Sequence, residues 1–201
     1  APAPVHRCRV VTAQESPPGQ SVGRAPDPTE LDAPVSACAD PRAVRVVEEL
    51  KRIGATIATA ESLTGGLVCA ALTSVPGASS VVAGGIASYS ADLKERVLGV
   101  SPEVLAEHGT VAEATALHMA DGVRRVAGSD VGVATTGVAG PDPTEGKPVG
   151  TVFVAVTRES TRVVRAFTFH GTREQIRRQT VEGALDLVLE ALSGAGAAES
   201  P

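Results

Sequence analysis

A chain of 201 residues that is 43% hydrophobic and carries a net charge of −5 has the size of one domain, with or without a tail. With no tryptophan, 2% aromatics and 21 glycines, its core must be built from Val, Ala and Leu, as in a buried parallel sheet covered by helices. It has no basic stripe with interleaved aromatics, no apolar run that could cross a membrane, and no CxxC or paired-histidine spacing around Cys8, Cys38 and Cys69; these absences set aside nucleic-acid binding, membrane insertion, a disulfide framework and a zinc site.

The N-terminus lacks a signal-peptide apolar region, so a cytoplasmic protein is expected. Residues 1–39 contain Pro2, Pro4, Pro17, Pro18, Pro26, Pro28 and Pro34 and show no apolar period. They read as a disordered or loosely packed extension. Asp40-Pro41 is an N-cap followed by a first-turn proline. Ala43, Val46, Val47, Leu50 and Ile53 then share one helical face, and Gly54 ends that helix. A buried strand is expected over 55–60 and an apolar helix over 63–74, with Ser62 at the turn between them. Val81 to Tyr89 reads as a second strand, with Gly84 and Gly85 marking a bulge or a close contact.

Ser90 caps a short helix that carries Lys94, and Ser101-Pro102-Glu103 starts another. Thr110 to Glu113 has the pattern of a capping box opening a helix to about Ala127. Val131 to Thr135 is a third strand, followed by the loop Thr136 to Pro141. Gly150 to Thr157 and Arg162 to Phe169 form an antiparallel pair. A second capping box, Thr172 to Gln175, opens a last helix with Ile176, Val181, Leu185, Leu189 and Leu192 buried. The expected organisation is an extension (1–39), a three-layer α/β/α domain (40–193) with a mostly parallel mixed sheet and an antiparallel edge, and a flexible tail (194–201).

Three points converge at the carboxyl ends of the parallel strands, where open α/β folds bind ligands. They are Ser62, Tyr89 with Lys94, and Thr136 to Pro141. A serine at a strand-to-helix turn is a helix cap, an anion contact or a nucleophile. As a nucleophile it needs a base, and His6, His108, His118 and His170 are poorly placed. Lys94 is the better base. Its reference pKa is about 10.4, and lowering it to near 7 costs about 4 kcal/mol. Burial and the positive end of its helix supply that shift. The alternative is an exposed helix lysine paired with Glu95 or Asp92. Tyr89, the one tyrosine, either closes a strand end or donates to the reacting oxygen or to Lys94. The loop Gly137 to Gly140 either offers N–H groups to an anion or is only a turn, and it is neither GxGxxG nor a Walker A loop.

Five segments occur together and in order: Ala60-Glu61-Ser62-Leu63-Thr64-Gly65-Gly66; Ser88-Tyr89-Ser90-Ala91-Asp92-Leu93-Lys94 with Leu98-Gly99-Val100; His108-Gly109-Thr110-Val111; Thr136-Gly137-Val138-Ala139-Gly140-Pro141; and Lys147-Pro148-Val149-Gly150-Thr151-Val152. Over residues 41–192 the chain closely resembles the CinA C-terminal domain family, the nicotinamide-nucleotide amidohydrolases, in a stand-alone form. The resemblance implies hydrolysis of the carboxamide of nicotinamide mononucleotide to nicotinate mononucleotide and ammonia, with no metal and no cofactor. By that resemblance Ser62 is the nucleophile, Lys94 the base and Tyr89 a further catalytic group. Glu61, Thr64, Gly65, Gly66, Thr136, Gly137, Ala139 and Gly140 are the expected substrate contacts. The expected partner is a small nucleotide rather than nucleic acid or membrane, and a homo-oligomer is left open. The chain departs from the family pattern at Ala91, where Asn is common, and at Ala112, where Ser is common. The loop Asp142 to Gly146 lacks the usual glycine run. The alternative function is a nucleotide- or partner-binding module that keeps the pocket without turnover.

Overall fold

The computed structural model describes residues 39–159 and 161–194. The expected N-terminal extension up to residue 38 and the tail from residue 195 lie outside the described residues. Helix α1 (Pro41–Ile53) starts at Asp40, whose carboxylate accepts from Arg42 N, and stops at Gly54 in the left-handed conformation. Strand β1 (Ile57–Glu61) leads into helix α2 (Leu67–Thr73). After a short 3₁₀ turn come strand β2 (Val82–Ala87), helix α3 (Ala91–Leu98), helix α4 (Pro102–His108) and helix α5 (Glu113–Ala127). Strands β3 (Val131–Gly137), β4 (Thr151–Arg158) and β5 (Thr161–Thr168) precede helix α6 (Arg173–Ser193).

The five strands form one sheet in the order β2-β1-β3-β4-β5. β1 pairs parallel with β2 and with β3, while β3–β4 and β4–β5 are antiparallel. This is a three-layer α/β/α fold. Valines of β3 and β4 meet α1, α2 and α6 on one face, through Leu50, Val133, Val154 and Leu185. The other face is alanine-rich, with Ala58, Ala60, Ala134 and Ala155 under Met119 and Val123 of α5. Such small side chains let helices approach closely. A Cβ on Gly122 of α5 would collide with the Leu98 carbonyl of α3. The expected bulge in β2 is present as a register shift opposite Ile57/Ala58. Gly85 has no room for a side chain either, since a Cβ there would lie 2.8 Å from Cys69 Sγ. The last helix is buried through Ile176, Leu185, Leu187, Val188 and Leu192, while Val181 and Leu189 are only half-buried.

The chain leaves β1 for β2 on one side and returns to β3 on the other. The sheet order therefore reverses between β1 and β3, which opens a crevice at their carboxyl ends. Backbone pairing continues into that crevice. Ser62 N donates to Thr135 O and Ser88 N to Glu61 O, at 3.0 and 2.8 Å.

Two local expectations fail here. α2 does not begin at residue 63, and Ser62 is not its cap. Gly65 and Gly66 take φ of +60° and +102°, a left-handed conformation that suits glycine and that a helix excludes. The N-cap is Gly66, with no side-chain cap of its own. The buried carboxylate of Glu61 serves instead, accepting from Gly66 N, Val68 N, Cys69 N and the Thr59 hydroxyl at 2.8–3.0 Å. A negative charge fits the positive end of a helix. Glu61→Gln places an NH₂ group against N–H donors and should destabilise the fold by about 2 kcal/mol. Urea denaturation checks this, and an unchanged midpoint would remove the carboxylate from the account of the turn.

The expected capping box at Thr110 is also absent. The N-cap of α5 is Ala112, and no side chain caps it. Thr110 is drawn away by a tertiary partner: its N–H and hydroxyl both donate to the Glu145 carboxylate, the hydroxyl at 2.7 Å. A serine at position 112 would be a helix cap, so Ala112 bears on the start of α5 rather than on the crevice. The second box, Thr172 with Gln175, is present in both directions.

Candidate active site

Ser62 follows β1 directly, and its backbone is held by the ladder to β3. Its hydroxyl accepts a hydrogen bond from Lys94 Nζ at 3.1 Å. The ammonium also donates to the Ser88 carbonyl at 2.7 Å. Lys94 is in the first turn and a half of α3, whose N-cap Ser90 accepts from Leu93 N. It is 1% exposed, the largest fully buried side chain described. The exposed, paired lysine is thereby excluded, and Asp92 pairs with Arg96 instead. Burial pushes the Lys94 pKa down from 10.5 to about 8, against an opposing pull from the Glu145 carboxylate. A buried ammonium with two neutral oxygen partners and no carboxylate in contact is disfavoured, so the neutral amine comes within reach near neutral pH.

Ser62 opens onto a cleft of about 320 Å³ whose wall includes Leu63, Tyr89, Thr110, Val138 and Arg173. Of the expected substrate contacts, Gly137, Ala139 and Gly140 line this cleft. The N–H of Val138 is taken by the Thr151 carbonyl. Those of Ala139 and Gly140 have no partner among the described residues. Glu61, Thr64 and Thr136 are not cleft residues. They are buried and their side chains are engaged: Glu61 on α2, Thr64 with the Thr135 hydroxyl at 2.8 Å, Thr136 on the Thr110 carbonyl at 2.6 Å. Gly65 and Gly66 shape the turn behind Ser62. None of His108, His118 and His170 lines the cleft. A larger groove of about 570 Å³ between α1 and α6 is lined by Arg45, Glu48, Glu49, Arg52, Glu190 and Ser193; the Ser193 hydroxyl there donates to the Glu190 backbone carbonyl at 2.9 Å.

Tyr89 is 63% exposed at the cleft mouth. Its hydroxyl accepts from Arg173 Nη2 at 2.9 Å, and Arg173 Nη1 donates to the Gly140 carbonyl at 2.7 Å. Its hydroxyl has no hydrogen bond to Ser62 or Lys94 among the described residues. Tyr89 thus forms part of the cleft wall and is held there by Arg173. Tyr89→Phe should raise KM about threefold and change kcat by less than about threefold, far short of the roughly 10²-fold cost of losing an oxyanion donor. A steady-state comparison decides this, and a 10²-fold fall in kcat would return Tyr89 to the chemistry.

Sequence reasoning missed Arg173, Arg177 and Glu145. Arg173 and Arg177 lie on α6, more than a hundred residues after Ser62, and only sheet closure brings them near. Their single local signal, the capping box at Thr172, locates the helix and not its neighbours. Among the described residues no group of three or more His, Cys, Asp or Glu is placed to share a metal ion, and no helix is long and apolar enough to cross a membrane.

Residues 39–192 match the model of a family described as CinA C-terminal domain. A CinA-like protein of Frankia casuarinae is 49% identical over 140 residues, 70% of this chain and 32% of that protein. The chain spans about a third of the length of the curated relatives it matches. Among solved structures, a competence-damaged protein (CinA) superfamily protein of Klebsiella pneumoniae is 34% identical with a TM-score of 0.74, covering 76% of this chain and 96% of that one. The competence/damage inducible protein CihA of Agrobacterium tumefaciens is 37% identical with a TM-score of 0.72, covering 76% and 93%.

Proposed function

The chain belongs to the CinA C-terminal domain family, and on that premise we propose that it is a nicotinamide mononucleotide deamidase of pyridine nucleotide recycling, a C–N hydrolase acting on a linear amide. The observation that carries this reading is the contact of the buried Lys94 Nζ with Ser62 Oγ at 3.1 Å, opening on a cleft at the switch point of the sheet. Ser62 Oγ attacks the carboxamide carbon and its proton passes to the neutral Lys94 amine. With a pKa of about 8, roughly a tenth of Lys94 is neutral at pH 7. Collapse of the tetrahedral intermediate breaks the C–N bond, and Lys94 returns the proton to the leaving ammonia. Water then attacks the acyl-Ser62 ester with Lys94 again as base, releasing nicotinate mononucleotide.

The oxyanion needs N–H donors. Between Ser62 and Cys69 the backbone N–H groups are engaged, except those of Leu63 and Thr64, which have no partner among the described residues. Thr64 is fully buried, whereas Leu63 lines the cleft, so the Leu63 N–H, with the unpartnered N–H groups of Ala139 and Gly140 in the same wall, is available to the oxyanion. Arg173, the cationic side chain in the cleft wall, suits the phosphate of a nucleotide. Release of ammonia and nicotinate mononucleotide, measured with and without chelator, tests the reading. A protein that binds the nucleotide and releases no ammonia would be the non-catalytic module instead, and activity lost to chelator and restored by a divalent metal would refute the metal-free mechanism.

A further inference from the structure

Arg177 lies one turn into α6, between the buried Ile176 and Thr180. Its guanidinium reaches the turn behind the nucleophile. Nε donates to the Leu63 carbonyl and Nη2 to the Thr64 carbonyl, each at 2.9 Å. Among the described residues it has no carboxylate partner, although arginines 42, 52, 96, 162, 165 and 178 all do. A partly buried arginine that bonds only to successive carbonyls keeps its charge directed at the backbone it holds.

Those carbonyls belong to particular peptides. The N–H of Thr64 shares its peptide with the Leu63 carbonyl, which Arg177 holds. The N–H of Leu63 shares its peptide with the Ser62 carbonyl, which Gly65 N holds at 3.1 Å. The Thr64 N–H is buried; the Leu63 N–H, in the cleft wall, lies on a peptide whose oxygen is already bonded. A donor on the oxygen polarises a peptide and strengthens its N–H. It also fixes the peptide plane. That matters in a turn with two left-handed glycines, which has little steric resistance to peptide rotation.

We propose that Arg177 is a positioning residue of the oxyanion hole that never touches substrate: it holds the Thr64 carbonyl, the N–H of that same peptide (Gly65) holds the Ser62 carbonyl, and the N–H of the Ser62 carbonyl's peptide is that of Leu63, in the cleft wall. The proposal rests on Ser62 as nucleophile. It differs from a plain staple between α6 and the turn, which would affect stability and leave the rate per folded molecule unchanged.

The test uses two readouts on the full chain: the rate at which a fluorophosphonate labels Ser62, followed by mass spectrometry, and ammonia release from nicotinamide mononucleotide. Arg177→Met should slow both by about 10- to 100-fold, somewhat less than removing an oxyanion donor outright, because misplacement by about 1 Å already costs on that order. KM should stay within about threefold, since ground-state binding is not what the hole supplies. The pH inflection near the Lys94 value of about 8 should be unchanged, and added guanidinium ion at millimolar levels should restore part of the rate. Wild-type labelling and turnover in Arg177→Met would overturn the proposal. So would a loss that follows the unfolded fraction and is not rescued by guanidinium. If Arg177→Met does not fold, Arg177→Lys takes its place, because it keeps the charge and loses the fork. An intermediate labelling rate is then expected, and a wild-type rate overturns the proposal. Labelling of Ser62 without ammonia release would sink the nucleotide reading while leaving Arg177 to be judged by labelling; failure to label Ser62 at all would sink both.

Discussion

Ser62→Ala should release no ammonia above background, a loss of at least about 10⁴-fold by comparison with other nucleophile deletions. The variant should nevertheless fold. The Ser62 hydroxyl caps no helix, because Glu61 holds the start of α2. What it loses is one hydrogen bond, from Lys94, and Lys94 keeps its bond to the Ser88 carbonyl. The expected change in stability is therefore within about 1 kcal/mol. A coupled ammonia assay beside a thermal melt measures both. An active Ser62→Ala enzyme would end the acyl-enzyme mechanism and point to direct attack by water.

Lys94 carries the second large effect, and its signature is in pH. If the neutral amine is the base, kcat/KM should rise about tenfold per pH unit below the free-enzyme pKa and level off above it, here with an inflection near 8. Lys94→Arg keeps the charge and should be nearly as inactive as Ser62→Ala, because a guanidinium does not deprotonate. Lys94→Met should be inactive too. Turnover by the arginine variant would make position 94 a charge contact rather than a base.

Stability should also rise with pH, over the window above that inflection. The folded state holds the Lys94 pKa at about 8 against an ordinary 10.5, so the unfolded chain binds more protons between those values. Folding is therefore penalised in full below pH 8, and the penalty fades as pH rises to 10.5. That difference is worth roughly 3 kcal/mol at most, offset by the hydrogen bonds the ammonium makes. Lys94→Met should be about 1 kcal/mol more stable than wild type at pH 7, and the gain should vanish by pH 10.5. Melting across pH reads this. A methionine variant less stable at pH 7 than at pH 10, relative to wild type, would contradict it.

Several features of this protein were legible in its residues. Asp40-Pro41 and Gly54 bound α1, Ser90 caps α3, and Thr172 with Gln175 boxes the start of α6; each works through hydrogen bonds within about four residues, so each is written locally. The sheet class followed from Val- and Ala-rich runs with almost no aromatics, and the Ser62 and Lys94 pair from the resemblance of the segments 60–66 and 88–94 to the CinA family motifs. Tertiary structure decided the rest, wherever a distant group outcompeted a local one. Thr110 gave up its cap because the Glu145 carboxylate, 35 residues on, takes its N–H and hydroxyl. The Glu61 carboxylate is taken up by the start of α2. Tyr89 turned to Arg173, 84 residues away. By spacing alone Lys94 reads as an ordinary helix lysine, and only sheet closure and α3 packing strip its water and lower its pKa. A local code reaches one turn of helix or one strand pair; desolvation and long-range pairing depend on which elements the topology brings together.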